Sequence, residues 1–491
     1  MARRLILGID VGTTSVKAGL LDLDGAVVAS FSEPYPTART GSGVVEQDPR
    51  DWTRLIDAAI AQFVGAGFGP DIAAIGLTSQ VNTHVFVDAH SAPLMPAMVW
   101  QDTRAVAEGA ALDARVTADQ KIAWWGAPMP IDASHALSRM AWVARHRPEV
   151  WEAAAHVLLP KDYCIAHLTG EVTTDPLSAI GLVDGDLGYI PEVLALVPGA
   201  AEKVPPLVPV TDTAGTGQGA LEGRPVVSGT MDAWAGLVGA GGAREGASVY
   251  LSGTSEIMGI SSRTVVPTPG VIVFPECAGI RLHAAPTQSG GDAAAWFAAV
   301  AGISLDQMSG LAAQAPQTSQ ATMSPLFLPQ LEGERAPLWD GDLRAAFLGV
   351  SRQTSQADLS RAVFEGVAFS ARHGLEALQA SADTYSDMIT CGGGGFRSDV
   401  WAQIRADVLG VELQVLDSAE PGVVGAATLA AISTGDFTDI TEAQSALARF
   451  GRVFAPDAKA HAAYDARFAV YKDAIEGIAG LTARLSAIPS G

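Results

Sequence analysis

Two short runs of small hydroxyl residues stand out as places where chemistry could be done. Asp10-Val-Gly12-Thr13-Thr14-Ser15 sets a carboxylate two residues ahead of a glycine and three hydroxyl side chains. A tight turn of this composition can aim backbone N–H groups and Oγ donors at phosphate oxygens. An aspartate at its lip can hold Mg2+, which prefers a carboxylate or two and keeps several waters. The plainer reading is a hairpin with a polar turn. Ser252-Gly253-Thr254-Ser255 repeats the same donors far along the chain. Alone it is a turn; paired with the first, it could clasp the other side of one polyphosphate tail.

Three further segments offer ligand contacts. Gly392-Gly393-Gly394-Gly395 follows a short apolar stretch and opens a helical pattern. A run of bare glycines lets a flat ring or a ribose approach the backbone, which a plain strand-to-helix turn would not require. Asp232 follows the strand pattern Pro225–Val227 in small, apolar company, where a carboxylate costs desolvation energy unless it is used or paired. A capping Asp at a helix start is the other reading. Trp100-Gln101-Asp102 ends an apolar run and suits either the wall of a sugar pocket or a core Trp beside an ion pair. His84, His135 and His373 show no metal-ligand spacing, and no G-x-S-x-G elbow supports a hydrolase.

The elements that must carry these residues come in a telling order. Leu5–Asp10 and Ser15–Asp22 read as strands, and Asp24-Gly25 turns the chain into a third, Ala26–Phe31. Asp48 and Pro49 open a helix, and Ile72–Leu77 and Val85–Asp88 return to strand. In a P-loop or dinucleotide fold the first glycine loop feeds a helix. Here it feeds a second strand, and no G-x-x-x-x-G-K-[ST] run occurs. The pattern repeats at Ala247–Leu251 and Ile257–Ile260, which predicts two related halves with a hinge in the glycine-rich Gly236–Gly246. Later apolar spacing predicts helices through Leu359–Leu375, Val400–Val408 and Tyr464–Leu485. The last is expected to dock on its own domain; a short coiled coil is the alternative.

Composition narrows the class. The 491 residues include 31 Lys+Arg against 53 Asp+Glu, a formal charge of −22, with 48% hydrophobic residues. That supports large cores and excludes a disordered chain or a disulfide scaffold. So negative a surface repels nucleic acid and anionic membranes, so neither is expected as a partner. Three scattered cysteines fit a reducing, cytoplasmic location. The basic start Met1-Ala-Arg-Arg4 is followed by an apolar run that stops at Asp10, too short for a signal peptide.

Taken together, the segments resemble the FGGY family of carbohydrate kinases, in the superfamily of sugar kinases, actin and heat-shock ATPases. The likeness runs from Gly8-Ile-Asp10-Val-Gly12-Thr-Thr-Ser15 to Glu420-Pro421-Gly-Val-Val-Gly425. Between lie Glu46-Gln-Asp-Pro49, Leu159-Pro-Lys161-Asp162-Tyr163, Gly333-Glu334-Arg335-x-Pro337 and Gly393-Gly-Gly395-x-Arg397-Ser398. Length and the Leu-Pro-Lys-Asp-Tyr segment look most like the xylulokinase branch. The resemblance implies an α/β protein of two ribonuclease-H-like domains with a central cleft. An N-terminal domain, 1–242, would hold the sugar, and a C-terminal domain, 243–491, the nucleotide and the terminal helix. It implies ATP and Mg2+, with Asp10 organising the metal and Asp232 as catalytic base. Gly12, Thr13, Thr14, Gly253 and Thr254 would meet the phosphates, and Gly393, Gly394 and Gly395 the adenosine. Trp100 would form the sugar wall.

Gln80 is expected at the sugar, and Val81 and Asn82 after it stand where the family varies with its sugar. Xylulokinases carry Met-His after the glutamine and glycerol kinases Arg-Glu, so Val81-Asn82 leaves the sugar open. Arg139 stands for a usual Lys, and Ala233 follows Asp232 as in ribulokinases. The expected reaction is ATP-dependent phosphorylation of a pentulose such as xylulose or a related polyol. A nucleotide-switched binding protein and a sugar-sensing pseudokinase are the alternatives, and a homodimer is expected by analogy alone.

Overall fold

The computed structural model describes residues 4–41, 43–126, 128–315, 324–418, 420–486 and 488. Most of the basic start lies outside them. The chain divides into two units. The first holds the residues up to Gly239 together with Pro275–Ala278 and Glu420–Arg449; the second holds the remainder. The chain leaves the first unit after Gly239, within the glycine-rich segment read as a hinge, but Asp232–Gly239 is helical.

The first unit is built on a six-stranded sheet. Leu5–Val11 pairs antiparallel with Ser15–Asp22, which pairs antiparallel with Val27–Pro34. On its other side Leu5–Val11 runs parallel to Ile72–Ser79, then come Pro225–Met231, parallel, and Thr213–Thr216, antiparallel. Both faces are covered. Leu5, Leu7 and Ile9 pack with Trp52, Ile56 and Phe63 of the helix Pro49–Gly65, while Ile6 faces Val423, Val424 and Ala427 of the helix Pro421–Ser433. That two-sided burial is why the first strand reads as a continuous apolar run instead of an alternating one. Asp48 caps the helix Pro49–Gly65, accepting from the Arg50 N–H at 3.0 Å.

The second unit repeats this order. Ser248–Ser252, Glu256–Ser262 and Arg281–Thr287 form the antiparallel meander. Met388–Gly392 and Glu412–Leu416 add in parallel beside the first of these, and Phe450–Phe454 closes the sheet antiparallel. A two-residue strand, Ile272–Val273, extends the opposite edge. The duplication expected from the two hydroxyl turns is thus present strand for strand. The helix Gln356–Ala382 begins at a Ser355–Asp358 capping box, and Ser398 caps Asp399–Leu409. The terminal helix Ala458–Ser486 buries Tyr464, Phe468, Tyr471 and Ile475 with Phe364 and Trp401 of its own unit. Among the described residues no helix is long and apolar enough to cross a membrane.

Candidate active site

The first hydroxyl turn is held from several sides. Gly12 N–H donates to the Ser15 carbonyl at 3.1 Å, and Tyr35 donates its N–H to the Thr14 carbonyl and its OH to that of Gly12. Gln47 Nε2 donates to the Thr13 carbonyl at 2.8 Å, and Trp100 Nε1 to Thr13 Oγ1 at 3.0 Å. Thr13 therefore ties the turn to Trp100, while Thr14 stays exposed. A Cβ on Gly12 would meet nothing closer than 3.5 Å, so the fold itself does not demand glycine there. The bare backbone leaves room for an approaching group.

Asp10 is the last residue but one of the first strand, partly buried, and its Oδ1 is buried without a hydrogen-bond partner. Burial pushes its carboxyl up to about 7; Lys17 pulls it down, and the charges of Asp232 and Glu420 push it further up. Lys17 is itself paired with Glu420 at 2.5 Å. The first turn of the helix Pro421–Ser433 abuts this carboxylate so closely that a Cβ on Gly422 would lie 2.6 Å from Asp10 Oδ2. An orphaned carboxylate oxygen at a polar turn fits a divalent cation. Among the described residues no group of three or more His, Cys, Asp or Glu side chains is placed to hold a metal by itself. A cation at Asp10 would thus keep most of its shell as water or phosphate oxygen, which is the habit of Mg2+.

Asp232 is the first residue of the helix Asp232–Gly239, and its Oδ1 accepts from the Ala233 N–H at 2.9 Å. Solvent reaches the side chain, yet the surrounding protein raises its carboxyl to about 6. Asp232 thus engages the first N–H of its helix, as a capping residue would, while its charge acts on the Asp10 carboxyl. Gln80 is buried, donating to Gln47 Oε1 at 2.8 Å, while its own Oε1 has no partner. Val81 and Asn82 follow in a half-buried bend, with Asn82 at φ 56°, the left-handed region that favours glycine. The first unit thus collects Asp10, Thr13, Gln80, Asn82, Trp100 and Asp232 around the ends of three adjacent strands.

In the second unit, Gly253 N–H donates to the Ser255 carbonyl at 2.9 Å, and Gly253 and Thr254 are exposed. The glycine run passes behind this turn. A Cβ on Gly393 would sit 2.4 Å from the Ser252 carbonyl, and one on Gly395 would sit 2.0 Å from Ser252 Oγ. Internal packing therefore dictates those two glycines, whereas Gly394 faces open space.

Several residues support the site from behind, and of these Arg405 and Asp175 carry no local signal in the sequence. Arg405, fully buried, donates to the Gly395 carbonyl at 2.7 Å, Ser252 Oγ at 2.9 Å and Glu256 Oε1 at 2.5 Å, stitching the glycine run to the second turn. Lys161 and Asp162 of the Leu-Pro-Lys-Asp-Tyr segment form a buried ion cluster with Asp175. Asp175 Oδ1 accepts from Thr230 Oγ1 at 2.9 Å, two residues before Asp232.

Residues 5–239 match the N-terminal domain of the FGGY family of carbohydrate kinases, and residues 248–434 its C-terminal domain. The xylulose kinase of Escherichia coli is 30% identical over 94% of this chain and 97% of its own. The ligand-bound xylulose kinase of Lactobacillus acidophilus superposes with a TM-score of 0.87 at 25% identity, covering 98% of this chain and 100% of its own. A gluconate kinase from the same organism superposes with a TM-score of 0.88, also at 25% identity and with the same coverage.

Proposed function

The chain belongs to the FGGY family of carbohydrate kinases, and we propose that it moves the γ-phosphoryl group of ATP onto a hydroxyl of a pentulose such as xylulose. The observation that carries this reading is the buried, unpartnered Asp10 Oδ1 at the hydroxyl turn, with Gln80 and Asp232 following the ends of the two neighbouring strands. Enzymes that phosphorylate an alcohol need one acid group near the phosphates and one poised to take a proton, and environments that push carboxyl groups upward supply the second.

Asp232 accepts the proton of the attacking hydroxyl while the new O–P bond forms and the bond to the ADP oxygen breaks. A base whose pKa lies near working pH does this best, and such help is typically worth on the order of 10²–10⁴ in rate. Gln80 Oε1 takes a hydrogen bond from a sugar hydroxyl, and Trp100 packs against the carbon skeleton. Thr14 and the exposed backbone of Gly253 and Thr254 face the phosphates, and Gly394 the nucleoside. Asp10 would hold Mg2+, which would supply the positive charge that offsets the phosphate oxygens. In this reading the sugar site belongs to the N-terminal domain, 1–242, and the nucleotide site to the C-terminal domain, 243–491. The three unpaired cysteines suit the reducing cytoplasm, where ATP is abundant.

A neutral acceptor is favoured over gluconate. The region already carries Asp10, Asp232 and Glu420 against Lys17, so a substrate carboxylate would add like-charge repulsion. The test is coupled ADP release with D-xylulose, D-ribulose, glycerol and gluconate. Stimulation by a pentulose well above the ATP-only rate is expected. A response confined to gluconate or glycerol would overturn the substrate class.

A further inference from the structure

We propose that Arg139 is the positioning residue that shapes the sugar pocket, its guanidinium fixing where Asn82 and Trp100 stand. The inference rests on the reading of those two side chains as sugar contacts. Arg139 lies in the helix Ala136–His146 and is fully buried. Its Nη2 donates to the Val99 carbonyl at 2.7 Å, and its Nη1 to the carbonyls of Asn82, at 2.5 Å, and of Met98. Nε donates to the Ala133 carbonyl at 3.3 Å, and His84 Nδ1 lies 3.3 Å from Nη1.

No carboxylate is among these hydrogen-bond partners. Burying a cation is expensive, and burial lowers the Arg139 pKa to about 10 although the charges of Asp102 and Asp132 pull it up. The guanidinium provides five donors in one rigid plane. That is what carbonyls arriving from three separate chain segments require. Each segment bears on the pocket: Asn82 itself, the residue before Trp100, and Ala133 beside Ser134, which receives the Asn82 side-chain amide at 3.4 Å. Asn82 takes up the left-handed backbone that asparagine tolerates better than most residues, and its carbonyl meets Arg139 there. The His84 ring, kept neutral by burial and by the neighbouring guanidinium, can accept at Nδ1.

Arg139→Lys keeps the charge but offers three donors from one point, too few and too close together for four carbonyls. Steady-state kinetics of the full chain with D-xylulose and D-ribulose should show the sugar KM raised about 10-fold or more. The ATP KM should be unmoved and kcat at saturating sugar within about three-fold of wild type. Arg139→Gln, with two donors and no buried charge, should shift the sugar KM in the same direction and further. Selectivity between the two pentuloses should shrink in both variants. A sugar KM unchanged in both, or sugar and ATP KM rising together, would overturn the proposal, as would loss of a cooperative melt in both variants, which would make Arg139 a general structural residue. Asn82→Ala and Trp100→Ala separate the two levels. If neither moves the sugar KM, the reading of the pocket fails. If they raise it while both Arg139 variants leave it alone, only the role of Arg139 fails.

Discussion

The two sheets carry equivalent turns whose acids have opposite fates. Glu256, just after the second turn, uses both oxygens: Oε1 accepts from Ser252 Oγ at 2.6 Å and from Arg405, and Oε2 from Tyr250 OH at 2.5 Å. The Arg405 guanidinium in turn lies 4.0 Å from the ring centre of Trp401 and 4.6 Å from that of Phe396. Asp10, just before the first turn, keeps Oδ1 buried and unpartnered, with its carboxyl pushed up to about 7. Burying a charge without partners is costly, and one that is fully hydrogen-bonded helps to hold a shape. The contrast teaches that the acid of the second turn is spent on holding the fold, whereas the acid of the first keeps one oxygen without a protein partner.

The largest expected effect concerns the other raised carboxylate. Asp232→Asn keeps the size of the side chain and its cap on the Ala233 N–H but cannot take a proton, so kcat should fall by roughly 10²–10⁴ with little change in ligand affinity. Single-turnover rates beside binding titrations read this directly. Near wild-type turnover would leave Asp232 as nothing more than a cap, since Asn caps almost as well.

The comparison itself is tested by a pair of variants that should move stability in opposite directions. Glu256→Gln leaves the Arg405 charge buried without its acid, and breaking such a pair costs about 3–5 kcal/mol. Asp10→Asn removes a carboxylate that the fold holds above its unfolded value. A group of that kind binds more protons folded than unfolded, so its contribution to stability falls as pH rises from about 4 to 7. Removing it should therefore raise Tm by a few degrees at pH 8 and hardly at all near pH 4, while activity is lost. Melts at the two pH values decide it. An Asp10→Asn protein less stable at pH 8 would mean that Asp10 holds the fold as Glu256 does.

The smallest effect is a shift in a pH profile. With its carboxyl raised to about 6, Asp232 is in its proton-accepting form above that pH and loses it below. The acid limb of kcat/KM for the sugar should lie near pH 6. A limb near pH 4, where an ordinary aspartate titrates, would place the base in a more solvated position elsewhere.

Much of this protein was legible in one dimension. Strand periodicity, the hydroxyl turns, the Asp48 cap and a first glycine turn that feeds a strand and not a helix are local patterns. Hydrogen-bond geometry and burial enforce them within a few residues, so the duplicated sheets and the family resemblance followed from them. The Gly393–Gly395 run was only half legible. Glycine marks close approach without saying to what, and two of the three positions approach Ser252.

What tertiary structure alone decided is which charges are satisfied. Lys17 meets Glu420 across 403 residues, Arg405 meets Glu256 across 149, and Arg139 gathers the carbonyls of Met98 and Asn82 across 41 and 57. Sequence shows that Asp10 and Glu256 are acids beside hydroxyl turns; it does not show that one has every oxygen engaged and the other does not. That difference is fixed by long-range packing, because a buried polar atom is paid for by partners that only the folded chain brings within reach.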